Sequence, residues 1–147
     1  MGEIIRLCAE YDALLSIGHA THEEQPLVAD EIVRQGFKKA MFDHPLSPFV
    51  DLSQQEMIEY TRAGMWLNFT YDELSPLLGV DPAYMCECIR KVGPGHVTLS
   101  CDAGEPFFPN SVECMRLMGV YMGAFGLNER ELRQVLVENG SYLLGIN

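Results

Sequence analysis

The chain has 147 residues, of which 48% are hydrophobic, so it can form one soluble domain with a sizeable core. Its formal net charge of −11 argues against a nucleic-acid-binding surface, which would require a basic face. No apolar run reaches the roughly 18 residues of a membrane span, and the first residues show no signal-peptide pattern. The five cysteines, an odd number, fit a reducing compartment, so we expect a cytoplasmic protein with free thiols.

Helical and strand patterns alternate along the chain. A first helix is predicted over residues 4–11, where apolar residues share one face. Four short apolar runs, each ending in polar residues, predict buried strands at 13–19, 39–44, 65–70 and 96–102. Helical spacing predicts five further helices, at 24–36, 51–64, 81–93, 111–126 and 128–140. Their predicted caps are Ser53 with Glu56, Asn128 with Glu131, and Gly36 and Gly140 at helix ends. The order predicts an α/β domain in which four strand–helix units form a parallel sheet covered by helices.

Ionisable or amide side chains stand at the carboxyl end of each predicted strand, where parallel α/β proteins bind their ligands. These residues are His19, His44, Asn68 and Asp102. Two imidazoles and one carboxylate can bind a divalent cation and leave positions open for water. The alternative is that the strand ends are polar only because they reach solvent. Strand alternation predicts that Ser100 and Thr98 share the face of Asp102, and that Phe42 and Ala40 share the face of His44.

Other polar residues near the strand ends are weaker candidates. His22 and Asn68 are candidate substrate contacts, although a solvated His22 beside a helix start is the simpler interpretation. Thr21 and Glu24 match a capping box. Asp43 is expected to point toward the helices and to form a cap or salt bridge, with support of a metal ligand as the less favoured alternative. Glu105 lies on the loop after the fourth strand, and such loops set specificity.

Five segments of the sequence resemble the second half of an amidohydrolase-superfamily barrel, and most resemble an uncharacterised amidohydrolase-like family within it. They read "GHATHEE", "DHPL", "VDLSQQEMIEYTRAGMWLNFTY", "IRKVGPGHVTLSCDAGEP" and "VLVENGSYLLGIN". The resemblance implies that His19, His44 and Asp102 bind a divalent metal, most readily zinc, with manganese or iron as alternatives. It also implies that Asp102 takes a proton from metal-bound water. The implied reactions are hydrolyses of amides, esters, lactones or phosphoesters, with some decarboxylations, on a small-molecule substrate.

The sequence departs from that family in its length and in several motifs. A complete barrel has eight strands and roughly 250 residues, whereas this chain offers four strands, equivalent to strands five to eight. The H-x-H pair of the first strand and the ligand of the fourth strand have no counterpart. The family's Asn-Pro-Ala reads Asn139-Gly140-Ser141, and Glu105 stands where relatives tend to have Gln.

Half a barrel leaves an inner sheet face and two sheet edges uncovered, which favours association with a partner. Residues expected to line the inner face are among Leu15, Ile17, Phe42, Trp66 and Leu67. The partner is either a separate chain that carries the first four strands, which we favour, or a second copy in a homodimer. Two functions remain open: a hydrolase half that binds metal, or a non-catalytic module that stabilises a catalytic partner.

Overall fold

The structure, a computed structural model, describes residues 1–146 and contains one parallel sheet. The sheet has four strands in the order β1-β2-β3-β4. They are β1 (Leu15–Ile17), β2 (Ala40–Asp43), β3 (Trp66–Thr70) and β4 (Val97–Ser100). The predicted α/β fold with a four-stranded parallel sheet is therefore confirmed. Because all four strands are parallel, their carboxyl ends stand side by side at one end of the sheet.

Helices connect and follow the strands. They are α1 (Gly2–Glu10), α2 (Gln25–Gln35), α3 (Gln54–Arg62), α4 (Pro82–Val92), α5 (Ser111–Ala124), α6 (Glu129–Arg133) and α7 (Asn139–Leu144). Short 3-10 turns follow β3 (Asp72–Leu74) and precede β4 (Pro94–His96). Within residues 1–146, none of these helices has the length and apolar character needed to cross a membrane.

Side-chain caps fix the start of several helices. Ser53 and Glu56 form the predicted capping box on α3, in which each satisfies the other's backbone N–H. Asn128 and Glu131 form the same box on α6. The predicted end at Gly140 is wrong, because a π-helical segment (Gln134–Glu138) joins α6 to α7. The helix continues to Leu144 and ends where Gly145 adopts a left-handed φ of 66°.

The main core lies between the sheet and the helices. The strands contribute apolar side chains that alternate along each strand and are fully or almost fully buried: Ile17, Ala40, Phe42, Leu67, Phe69, Val97 and Leu99. The helices contribute mainly aliphatic and methionine side chains, among them Ile32, Met57, Met85 and Ile89. All five cysteines are free, as predicted, and Cys86 and Cys88 are both buried in this region.

The opposite face of the sheet is partly covered by the C-terminal helix. Leu143 of α7 packs there with Met41 and Trp66 in a second apolar cluster. Asn139 donates hydrogen bonds of 2.7 and 2.6 Å to the carbonyls of Pro94 and Val97, which ties α7 to the edge strand β4. The expected bare inner face is therefore partly closed by the chain's own C-terminal helix.

The five apolar residues among which the inner-face residues were expected divide between the two faces. Trp66 faces inward, whereas Ile17, Phe42 and Leu67 belong to the main core. The prediction that Phe42 and Ala40 share the face of His44 is wrong. Phe42 and Ala40 point toward the helices, whereas His44 lies on the other side of the sheet. The alternation predicted for β4 is correct: Val97 and Leu99 are in the main core, and Thr98 and Ser100 are on the inner side.

Candidate functional site

A polar pocket of about 330 Å³ lies at the carboxyl ends of the four strands. Each strand, or the residues directly after it, contributes polar side chains to the lining. The lining residues are Ser16, Gly18, His19, Asp43, His44, Asn68, Thr70, Ser100 and Asp102. The four residues singled out at the strand ends in the sequence, including both histidines and Asp102, therefore share one pocket.

The two histidines contact each other, and one of them is held in a defined orientation. The ring centroids of His19 and His44 are 4.7 Å apart. His44 is 6% exposed, and its Nδ1 lies 3.2 Å from the hydroxyl of Ser47, which is itself buried. Because Nδ1 is engaged by Ser47, Nε2 is the ring nitrogen that can bind a ligand in the pocket. His19 is exposed and stands at the open side.

A ladder of polar side chains crosses the inner face of the sheet below the histidines. The amide nitrogen of Asn68 donates to Asp43 Oδ1 and to Ser100 Oγ, both at 2.8 Å. The Asn68 amide oxygen accepts from the Thr98 hydroxyl at 2.9 Å. Ser16 donates its hydroxyl to Asp43 Oδ2. These bonds link all four strands and fix the orientation of the Asn68 amide.

Asp43 lies in the pocket, and the expectation that it points toward the helices is wrong. By strand alternation Asp43 is on the same face as Met41, which packs on the inner side. His44 has a φ of 37°, in the left-handed region, so the alternation stops there. As a result, both Asp43 and His44 line the pocket although they are neighbours in sequence.

The pocket lining contains two carboxylates and neither lysine nor arginine. Asp43 and Asp102 are the two carboxylates, and no ion pair among residues 1–146 includes either of them. Asp72 lies nearby: burial and the adjacent charge of Asp102 raise the pKa of its carboxyl. An uncompensated negative pocket favours a cationic ligand.

Glu73 is a buried carboxyl beside the pocket that sequence inspection did not single out. It is fully buried and accepts hydrogen bonds of 2.6 Å from the Leu46 N–H and 2.7 Å from the Thr70 N–H. Burial raises the pKa of Glu73 to about 8, although these N–H groups favour the ionised form. Glu73 thereby connects the segment after His44 to the end of β3.

The donor set of the pocket fits a divalent cation in its chemistry. Imidazole nitrogens and carboxylate oxygens are the usual ligands of zinc, and three protein ligands suffice for a catalytic centre. In the described part of the chain, 1–146, no three histidine, cysteine or acidic side chains form a ready metal-binding group. The side chains share one pocket, but their donor atoms are not gathered around one point.

Two of the candidate substrate contacts lie elsewhere. His22 is exposed, and its Nε2 is 3.5 Å from a carboxylate oxygen of Glu56 at the start of α3. Thr21 donates its N–H and hydroxyl to Glu24 at 3.0 and 2.9 Å, but no side chain caps the start of α2, so the predicted capping box is wrong. Glu105 is exposed in the turn after Asp102 and is not among the pocket residues. Their proposed roles in substrate binding stay predictions.

Several residues of the site were not singled out in the sequence, and part of the signal was available. Side chains two residues apart on a strand share a face. That rule places Thr70 on the face of Asn68, and Ser16 on the face of Gly18. Ser47 and Glu73 gave no such signal, because they act through loop geometry that no periodicity encodes.

Comparisons with known proteins give a family of unknown function and one solved structure. A family of unknown function (DUF6282) matches residues 1–68, which include His19, His44 and Asn68. The fold resembles the apo crystal structure of the Agrobacterium tumefaciens protein ATU3138, with a TM-score of 0.69 and 13% sequence identity. The match covers 97% of this chain and 54% of that protein, so this chain spans about half its length. No curated protein matches the sequence.

Proposed function

We propose that this chain is the C-terminal half of a metal-dependent hydrolase barrel, equivalent to strands five to eight of an amidohydrolase-like fold. The observation that carries the proposal is the shared pocket of His19, His44 and Asp102 at the carboxyl ends of parallel strands. Ligand sites of parallel α/β proteins lie at this edge. The uncompensated charge of the pocket adds support, because two carboxylates without a basic partner favour a cation.

Each residue then has a defined role. A divalent cation, most readily zinc, would supply a water of lowered pKa and would polarise a carbonyl or phosphoryl oxygen when bound. His44 would hold it through Nε2, because Ser47 engages its Nδ1. Asp102, which lines the same pocket, would accept a proton from water. Asn68 keeps Asp43 and Ser100 in place through its two donated bonds. The reaction is hydrolysis of an amide, ester, lactone or related bond.

We further propose that a partner completes the barrel. An apolar groove of about 540 Å³ runs beside the open edge of β1, and its lining includes Met1, Ile4, Leu15 and Leu27. Met1, Ile4 and Leu27 are each at least half exposed. Exposed apolar surface beside an unpaired strand favours the addition of another strand. A second chain that carries the first four strands fits this groove better than a second copy, because the copy would bring a second His-His-Asp set to one barrel mouth.

A non-catalytic module is the second candidate. The observation that favours it is the lack of a ready metal-binding group within residues 1–146. In that case the chain stabilises a partner through the β1 edge, and the hydrogen bonds of the polar ladder only hold the four strands together. Metal binding separates the two candidates, since only the hydrolase half requires it.

Zinc binding by variants of the pocket tests the proposal. We expect the protein to bind Zn²⁺ in isothermal titration, and we expect His19→Asn, His44→Asn and Asp102→Asn each to abolish binding. Asparagine is chosen because all three positions have positive φ, which asparagine tolerates better than alanine. His22→Asn is the matched control and should retain binding, because His22 lies outside the pocket. Absence of Zn²⁺ binding by the unaltered protein would contradict the hydrolase proposal.

A further inference from the structure

We infer that Asp43 is a direct ligand-binding carboxylate of the site, which contacts the bound divalent cation beside His44. The inference rests on the proposed function, since it assumes that the pocket takes a cation. It adds a residue that strand alternation had seemed to direct away from the site.

The first argument is the space that Asp43 and His44 share. Gly18 has no side chain, and a Cβ built on it would lie 3.6 Å from His44 Nε2 and 4.0 Å from Asp43 Oδ2. The free ring nitrogen and the carboxylate oxygen therefore face one gap, which Gly18 leaves open. A ligand in that gap meets a nitrogen and an oxygen donor from adjacent residues of the same strand end.

The second argument is the charge of Asp43. Its two recorded side-chain partners, the Ser16 hydroxyl and the Asn68 amide, are both neutral. A carboxylate has about four acceptor positions, so these two bonds leave acceptor capacity on its oxygens. A cation in the gap beside Gly18 would meet this remaining acceptor capacity. The hydrogen bonds of Ser16 and Asn68 meanwhile hold the carboxylate in place, as outer partners of metal ligands do.

The competing explanation is that Asp43 only ties the strands together. That role depends on the hydrogen bonds that Ser16 and Asn68 donate to Asp43, whereas a ligand role depends on the charge of the carboxylate. Ser16→Ala removes one of these bonds and keeps the carboxylate, and Asp43→Asn removes the charge and keeps the size. The two variants therefore separate the two roles.

The experiment measures Zn²⁺ affinity and the Zn²⁺-induced rise in Tm for four variants of the full chain. We expect Asp43→Asn to weaken Zn²⁺ binding by more than about 10-fold and to reduce the Zn²⁺-induced rise in Tm. Ser16→Ala should weaken Zn²⁺ binding less than Asp43→Asn does, because the bond from Asn68 still holds the carboxylate. Asp30→Asn, on the exposed surface of α2, is the matched control for loss of one carboxylate and should change neither readout.

The outcomes distinguish this inference from the proposed function. If His44→Asn abolishes Zn²⁺ binding while Asp43→Asn binds as tightly as the unaltered protein, the inference is overturned and the proposed function stands. If Ser16→Ala weakens binding as much as Asp43→Asn, Asp43 acts only through the strands, and the inference is also overturned. If the unaltered protein binds no Zn²⁺, both are overturned.

Discussion

The three candidate ligands share an unusual backbone conformation. His19, His44 and Asp102 have φ values of 57°, 37° and 46°, in the left-handed region that most residues avoid. Asp12 and Asp51, outside the pocket, do the same, so the conformation alone does not mark a site. At His44 the effect of this conformation is geometric. It ends the strand alternation, so that the side chains of both Asp43 and His44 lie in the pocket. Sequence periodicity cannot report such a turn, which explains why Asp43 was assigned to the wrong face.

Gly18 provides a test of the open gap beside His44. Its φ is not positive, and a Cβ there would make only ordinary contacts at 3.6 and 4.0 Å, so Gly18→Ala should fold normally. The lost freedom of the unfolded chain should raise the free energy of unfolding by about 0.4–1 kcal/mol. We predict that Gly18→Ala nevertheless weakens Zn²⁺ binding, because the methyl group occupies the gap. Titration and chemical denaturation measure the two effects, and unchanged Zn²⁺ affinity would show that no ligand uses this space.

Glu73 makes stability depend on pH. Its carboxyl has a pKa of about 8 in the folded protein, against an ordinary value of 4.5. Between these two values the folded protein therefore holds a proton that the unfolded chain has lost. The contribution of Glu73 to stability is fully present below pH 4.5 and is lost as the pH rises toward about 8.

Glu73→Gln should remove this pH dependence. We predict that the free energy of unfolding of the unaltered protein, measured by chemical denaturation, falls relative to that of Glu73→Gln as the pH is raised from 4.5 to 8. The difference between the two proteins cancels the titration of groups that they share. A difference that stays constant across this range would mean that Glu73 is ionised in the folded protein throughout.

At the scale of the elements, local capping chemistry made most helices predictable. The Ser53–Glu56 and Asn128–Glu131 boxes and the left-handed Gly36 all stand where the sequence placed them. The C-terminal helix was predicted too short because Gly140 was interpreted as a cap. The contacts of Asn139 and Leu143 with the sheet extend the helix beyond Gly140, and such tertiary contacts are not visible in local sequence.

Asn139 should control the attachment of α7 to the sheet. Asn139→Ala removes a buried hydrogen bond to the Val97 carbonyl and a partly buried one to the Pro94 carbonyl, so we predict a loss of about 1–3 kcal/mol in the free energy of unfolding. Trp66, the single tryptophan, packs against Tyr142 of α7 at a ring distance of 5.8 Å. Its fluorescence should therefore shift to longer wavelength in this variant.

A substitution at a half-buried position of the same helix controls for this result. Tyr142 contacts Trp66, so the control is Ser141→Ala, which leaves both the hydrogen bonds and the aromatic contact in place. We expect its emission spectrum to match that of the unaltered protein. An unshifted spectrum in Asn139→Ala as well would show that other contacts hold α7.

At the scale of the whole molecule, the order of strands and helices was sufficient to predict the sheet. Apolar runs separated by helices predict parallel strands. The order β1-β2-β3-β4 comes from the structure, because other sheets with the same alternation of strands and helices have a different strand order. The position of the polar pocket follows from the same pattern, because all carboxyl ends share one edge. The cover that α7 provides on the opposite face was not predictable, since it depends on which surface remains free once the sheet has formed.

The proposed partner surface lies next to the polar pocket. The sheet ends at β1 and β4, and the polar pocket and the apolar groove both include residues of β1 and its following turn. A strand added at β1 would therefore stand directly beside His19. The site and the partner surface are adjacent, so metal binding and association are expected to be coupled.

Native mass spectrometry of the untagged protein, purified without chelator, tests the central claim most directly. We predict a complex that contains a bound divalent metal and has the mass of this chain plus a partner, and we predict that His44→Asn loses the metal while His22→Asn keeps it. A metal-free species in the unaltered protein, or a metal retained in His44→Asn, would contradict the account.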